Sequence, residues 1–262
     1  MNVMLASIGA LGCYLMGAIG QGIRNSGRNL PRRGIQLLTL VGLIFHISAL
    51  YLSIHIDQGV NLGVFTIASL TTMMVTLTVL LSSLKKPSDG LLVLILPVSM
   101  ITVAAAWLTP IEHIMNRMDT NVVVHLLVSI LAYGMLMVAA FQSLLVSYQE
   151  TQLRKHKKTV KTLPPLQTME KLLFEFLFIG VLLLTISLIT GFLFFDDMFA
   201  HGLLHKTILS ISAWCLFTML LVGHWRFGWR GKTATRWTMS GFVVLILAYF
   251  GWRLVLQFVI RY

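Results

Sequence analysis

Apolar residues in this chain come in long unbroken runs. They do not form the i, i+3, i+4 stripes or the strict alternation of a domain with one wet face. Eight runs stand out, near 3–20, 35–54, 64–84, 90–108, 122–148, 172–195, 204–225 and 238–260. Crossing a hydrocarbon core takes roughly 20 residues of helix, and each run is about that long. Lipid offers no other partner to backbone N–H and C=O groups, so each run is predicted to be helical. The fifth is long enough to project past the bilayer. The expected fold is all-α: a polytopic membrane helix bundle of about eight transmembrane helices, forming a single integral membrane domain over residues 1–262.

Composition excludes a water-soluble fold. Apolar residues make up 57% of the chain and charged residues 11%, against about 25% charged in soluble domains; mean hydropathy is +0.85. The first run, Val3 to Ile19, has no basic segment before it and no small-residue cleavage pattern after it, so a retained helix is expected rather than a signal peptide. Cys13 and Cys215 both lie inside apolar runs. Neither C-x-x-C nor C-x-x-C-H occurs, so neither a dithiol motif nor self-attached c-type haem is indicated.

The net charge of +11 could suggest nucleic acid, but its distribution points to topology instead, and no nucleic-acid partner is expected. Arg24, Arg28, Arg32 and Arg33 lie in the first loop, and Lys85 and Lys86 in the third. Arg154, Lys155, Lys157, Lys158, Lys161 and Lys171 lie in or beside the fifth, and Arg226, Arg230, Lys232 and Arg236 in or beside the seventh. The even loops hold only Arg117 and Lys206. Cytoplasmic loops carry the Lys/Arg excess, so the odd loops are expected inside and both termini outside. The fifth loop, ETQLRKHKKTVKTLPPLQTMEK, contains a Pro-Pro break and is the one plausible division of the chain, separating spans one to five from six to eight. Its basic cluster reads as a solvated topology signal; contact with anionic lipid is the alternative.

With direction set, the histidines can be placed. His46 lies near the middle of span two, His55 at its outer end, His113 in the fourth loop, and His125 at the outer start of span five. His201 and His205 are also outside, while His156 and His224 are cytoplasmic. A histidine at a boundary is commonly an amphipathic interfacial residue, and that reading stands for His55, His113, His201 and His205; His156, among lysines, is expected to be solvated. His46 differs, because an ionisable group deep in a span faces a bundle interior or a cavity. It is either a ligand or a neutral imidazole bonded to a neighbouring helix. Zinc is not indicated: H-E-x-x-H and Cys/His clusters are both absent, although His201 and His205 stand in H-x-x-x-H spacing. Of nine acidic residues only Glu175 lies within a span, so no paired-carboxylate or Ser-His-Asp arrangement can be built and no enzyme activity is expected. Isolated histidines among aromatics suit axial ligation of a planar cofactor such as haem. Arg253, in the outer half of span eight, either snorkels, pairs with Asp196 or Asp197, or holds a cofactor carboxylate in its fork.

Several stretches carry a family likeness: FHISALYL at His46, the following NLGVFTIASL, HLLVSILAYG with Tyr133 eight residues after His125, HKTILSISAW with Lys206, Ser210 and Trp214, and GWRGKTA. In this order they resemble the cytochrome c assembly family, the CcsA/HemX/CcmC group of polytopic haem-handling proteins, and most closely its short YpjD-like inner-membrane branch. The resemblance implies a bacterial inner-membrane protein that binds haem, of the b type, and supports cytochrome c biogenesis. Its expected partners are membrane lipid, haem and other membrane proteins of cytochrome assembly. By position, His125 matches the family's first external haem ligand and His224 the histidine at the cytoplasmic end of its span, with His46 and Arg253 as further cofactor contacts. Two features depart from the full assembly proteins. FFDDMFAHGLL stands where they carry a tryptophan-rich WWD segment, and the chain ends at Tyr262 without a second external histidine. His201 or His205 is the candidate to replace that ligand. Two other functions stay open: a HemX-like scaffold or regulator of another membrane complex, and a transporter of another substrate.

Overall fold

The structure is a computed structural model that describes residues 2–56, 59–109, 114–115, 119–154, 163–194 and 204–251. Its helices are α1 Val3–Asn25, α2 Arg32–Ile54, α3 Val64–Lys85, α4 Leu92–Leu108, α5 Thr120–Arg154, α6 Leu166–Phe194, α7 Leu204–Phe227 and α8 Gly231–Ile246, the last continuing as a π-helical turn over Leu247–Gly251. Among the described residues, seven helices are long and apolar enough to cross a membrane. α8 starts seven residues before the expected span, because the polar segment after Gly231 winds into the same helix. α6 likewise begins six residues early, directly after Pro164 and Pro165, which end the preceding loop. Proline lacks the N–H that a first helical turn leaves unpaired anyway, so a helix starts readily there.

Two compact units emerge, Met1–Met118 with Gln152–Pro165, and Asp119–Thr151 with Leu166–Tyr262. The expected division in the fifth loop is therefore misplaced, since α5 belongs with α6. The reason is a set of contacts along their length: Ser129 Oγ lies 2.7 Å from Ser187 Oγ, and Gln142 Nε2 donates to the Met169 carbonyl at 2.9 Å.

The first unit packs α1 to α4. Leu43, Leu50, Met73 and Leu80 form an apolar cluster between α2 and α3. Hydroxyls also join the helices: Thr72 and Thr102 meet at 2.7 Å and Thr76 and Ser99 at 3.0 Å, satisfying polar groups that lipid could not. At one end, Asp89 of the third loop gathers two arginines of the first. Arg32 Nε approaches its carboxylate at 2.7 Å and Arg24 Nη1 at 3.4 Å, and Gln36 donates to it at 3.3 Å. At the opposite ends of these helices, three short antiparallel strands, β1 His55–Ile56, β2 Gly59–Asn61 and β3 Ile114–Met115, join the second loop to the fourth. In register, His55 faces Val60, and Val60 faces Met115. The first and third loops thus share one end and the second and fourth the other, as the charge pattern requires.

In the second unit, Trp214 Nε1 donates to Thr185 Oγ1 at 2.8 Å, joining α7 to α6, and Thr235 Oγ1 donates to the Ser143 carbonyl at 3.1 Å, joining α8 to α5. Leu136, Leu173, Leu177 and Phe217 are fully buried. The outward faces are apolar too: Leu182, Ile186, Ile189 and Leu193 are all exposed along α6. An exposed apolar face of that length is a lipid-facing one.

Candidate functional site

His46 is wholly enclosed in the first unit. Its Nδ1 lies 3.1 Å from the Tyr14 hydroxyl on α1 and its Nε2 2.8 Å from the Ser69 hydroxyl on α3. Tyr14 and His46 also meet edge to face, ring centroids 5.7 Å apart. Of the two readings the sequence leaves open, the geometry is that of an imidazole bonded to neighbouring helices. Both ring nitrogens are engaged, and the ring ties α2 to α1 and α3.

His125 sits on the first turns of α5, half-buried against α6. Its Nδ1 lies 3.1 Å from Thr190 Oγ1. That hydroxyl already bonds to the carbonyls of Ile186 and Ser187, each at 3.0 Å. Nε2 has the Ser129 hydroxyl 3.5 Å away.

His224 is positioned by the turn that follows it. α7 ends with Gly228 at φ +66°, a left-handed conformation that favours glycine. The N–H groups of Gly228 and Trp229 return to the carbonyls of His224 and Gly223 at 3.1 and 3.2 Å. The chain folds back so that the Trp229 ring lies directly over Gly223, where a Cβ would collide with it. The Trp229 carbonyl then meets His224 Nδ1 at 2.9 Å. A carbonyl can only accept, so Nδ1 carries the proton and Nε2 the lone pair. Phe174 of α6 covers one face of the imidazole, with centroids 3.5 Å apart and planes 14° from parallel. The GWRG segment thus acts on the histidine directly, and Gly231 N–H closes the turn onto Glu170 Oε1 at 3.0 Å.

His224 lines a cavity of about 620 Å³ in this unit. α6 contributes Lys171, Phe174, Glu175 and Phe178, α7 contributes Leu221 and Trp225, and the turn contributes Arg230. Its lining balances two cations, Lys171 and Arg230, with two carboxylates, Glu170 and Glu175, beside one histidine and an aromatic wall, which is no cluster for a bare metal ion. Among the described residues, no group of three His, Cys, Asp or Glu side chains could hold such an ion.

The two half-buried histidines are not brought together. His125 meets α6 at Thr190 and His224 meets it at Phe174. Those residues are sixteen positions apart, or roughly 24 Å along the helix. His55 makes only a local contact, Nδ1 to the Tyr51 carbonyl at 3.2 Å. His205 is exposed at the start of α7. Arg253, His113, His156 and His201 lie outside the described residues, as do Asp196 and Asp197. Sequence reasoning passed over Tyr14, Ser69, Phe174 and the lining cations as partners. For the α6 residues a signal existed, since Lys171, Phe174 and Phe178 recur at the three- and four-residue spacing of one helix face.

The sequence pattern of the family described as Cytochrome C assembly protein matches residues 35–260. The chain is 32% identical over 232 residues to the inner membrane protein YpjD of Escherichia coli (strain K12), covering 87% of this chain and 88% of that one. The protein of the same name from Escherichia coli O157:H7 matches to the same extent. A 28.8 kDa protein in the nifR3-like 5' region of Azospirillum brasilense is 33% identical over 131 residues, 48% of each chain. No solved structure matches. With its apolar helices and an inner-membrane relative over most of its length, the chain is a multi-pass inner-membrane protein.

Proposed function

We propose that this chain, which belongs to the cytochrome c assembly protein family, binds haem b at its two half-buried histidines and supports cytochrome c biogenesis. The role is to hold and present haem, with no catalysed reaction, in company with other membrane proteins of cytochrome assembly. The whole chain would act as one integral membrane domain of eight spans with both termini outside, His224 on the cytoplasmic side and His125 on the outer side. Arg253 would serve a haem carboxylate near the outer face. His46 is assigned to packing.

The observation that carries this reading is the hydrogen bond from His224 Nδ1 to the Trp229 carbonyl. Metal-ligating histidines commonly donate their other ring N–H to a carbonyl, which fixes the tautomer and the ring. Stacking on Phe174 occupies a ring face and leaves the in-plane approach at Nε2, along which a metal binds. Bound haem would supply an iron centre whose potential the imidazole and its surroundings tune.

Purified full-length protein supplied with haem should show a Soret band with imidazole character. His125→Ala and His224→Ala should each remove a distinct fraction of the bound haem. If neither changes haem content, or if the wild type binds none, the ligand reading fails. A scaffold or regulator of another membrane complex then takes its place, a reading favoured by the full engagement of both His46 nitrogens within the first unit.

A further inference from the structure

In the first unit, α2 and α3 share a surface that the haem reading leaves unused. They run antiparallel and meet along Leu43, Leu50, Met73 and Leu80. Measured from Leu43, Leu40 lies about 60° round α2, Arg33 about 80° and Leu37 about 120°. Measured from Leu80, Leu84 lies about 40° round α3, Leu81 about 100° and Lys85 about 140°. All six are exposed. The rotations share one sense, and in antiparallel helices rotations of one sense fall on the same side. The two helices therefore border an apolar groove with one cation from each at its end.

That end is held together from within. Arg32 donates to the Ser83 carbonyl and, at 3.4 Å, to the Lys86 carbonyl. Asp89, the one carboxylate of the first and third loops, is buried and engaged by Arg24 and Arg32. Neither Arg33 nor Lys85 has an ion-pair partner among the described residues. Arg33 also stands on the first turn of α2, the end whose dipole repels a cation, and that turn has no acidic residue and no side-chain cap. A topology signal needs charge alone. It does not need each cation four residues from an exposed leucine on the face that borders a groove, as Arg33 is from Leu37 and Lys85 from Leu81. Packed helices lie about 8–10 Å apart, so a long side chain from each can converge on one phosphate. Independently of the haem reading, we infer that this groove is a site for an anionic phospholipid. Its phosphodiester lies between the Arg33 guanidinium and the Lys85 ammonium, and an acyl chain runs down the leucines. A zwitterionic headgroup would set its own cation against these two with no carboxylate to receive it. The site therefore selects a lipid of net negative charge, such as phosphatidylglycerol.

Full-length protein in neutral detergent is titrated with phosphatidylglycerol, phosphatidylethanolamine and phosphatidylcholine of matched chain length, and bound lipid is counted by native mass spectrometry. The wild type should take one phosphatidylglycerol in preference to either zwitterionic lipid. Arg33→Gln and Lys85→Gln should each weaken it about fivefold, the scale of one basic residue at an anionic surface. The double variant should show no preference among the three. Arg33→Lys keeps the charge and should keep the preference. Arg236→Gln, which removes an exposed cation from the second unit, should leave it unchanged. Thermal melting establishes that each protein is folded. Glycerophosphoglycerol, the same headgroup without acyl chains, should not compete. If it competes as well as the intact lipid, the groove has no part and the lipid assignment falls. Equal binding of all three lipids by the wild type, or wild-type preference in the double variant, overturns the site and leaves the two cations as a topology signal.

Discussion

His224 and Phe174 lie ring on ring, centroids 3.5 Å apart and planes inclined by 14°. One residue comes from the end of α7 and the other from the early turns of α6, so the pair fixes both the join between the helices and the direction of the imidazole. Phe174→Leu keeps the apolar volume but removes the flat partner. It should cost about 1 kcal/mol, the worth of an aromatic pair beyond its buried area, seen as a small fall in melting temperature. Haem that depends on His224 should be retained less well, and its Soret band should broaden. An unchanged band would mean that stacking has no part in orienting the ligand.

Gly223→Ala offers a test of the turn. The added methyl would collide with the Trp229 ring, pushing away the carbonyl that holds His224 Nδ1. The expected outcome is a folded protein that loses the same haem fraction as His224→Ala. Gly228→Ala should do less to the haem and more to stability, about 1–2 kcal/mol for a left-handed residue gaining a side chain. Calorimetry and haem content measured on the same samples separate the two effects.

His46 should behave in the opposite way. His46→Ala removes the partner of the Ser69 hydroxyl in a buried site and one partner of the Tyr14 hydroxyl, which also meets Thr76, at about 1–3 kcal/mol for a group left unpaired. Tyr14→Phe and Ser69→Ala should each destabilise less. Haem per folded molecule should stay at the wild-type level in all three variants. A specific loss of haem in His46→Ala, without loss in the other two, would restore the ligand reading of that residue.

Asp89→Asn should loosen the end of the first unit, because Asp89 is the shared acceptor of Arg24, Arg32 and Gln36. About 2 kcal/mol is expected from losing hydrogen bonds to a charged group. The effect should be smaller when Arg32 is already Ala, since the partners form one network. Equal effects in both backgrounds would show that Asp89 acts through something other than this pair.

Cysteine accessibility tests the proposed direction. Reporter cysteines at Lys86 and Lys232 should label from the cytoplasmic side and one at His113 from outside. Any two of these appearing on the wrong side would reverse or break the alternation.

Seven spans were legible in the sequence because lipid imposes one rule on every backbone group, and long apolar runs report it directly. Helix ends were not legible from hydropathy: α6 and α8 begin in polar segments that wind into the helix for reasons of proline geometry and turn closure. The grouping of α5 with α6 was missed because the basic, Pro-containing loop between them looks like a boundary, whereas the Ser129–Ser187 and Gln142–Met169 contacts lie at long sequence separation. For the histidines, the sequence gives depth but no partners. It could not distinguish His46, locked by a tyrosine thirty-two residues away, from His224, oriented by a carbonyl five residues on.

α6 does more than space the two half-buried histidines. Sixteen residues at 100° each bring Thr190 to about 160° from Phe174 around the helix axis. His125 and His224 therefore address α6 from nearly opposite sides as well as opposite ends, and the helix stands between them as a partition. A ligand leaving one could not reach the other by sliding down a single groove. It would have to be passed around the edge of α6, by tilting of that helix, through lipid, or by a second protein.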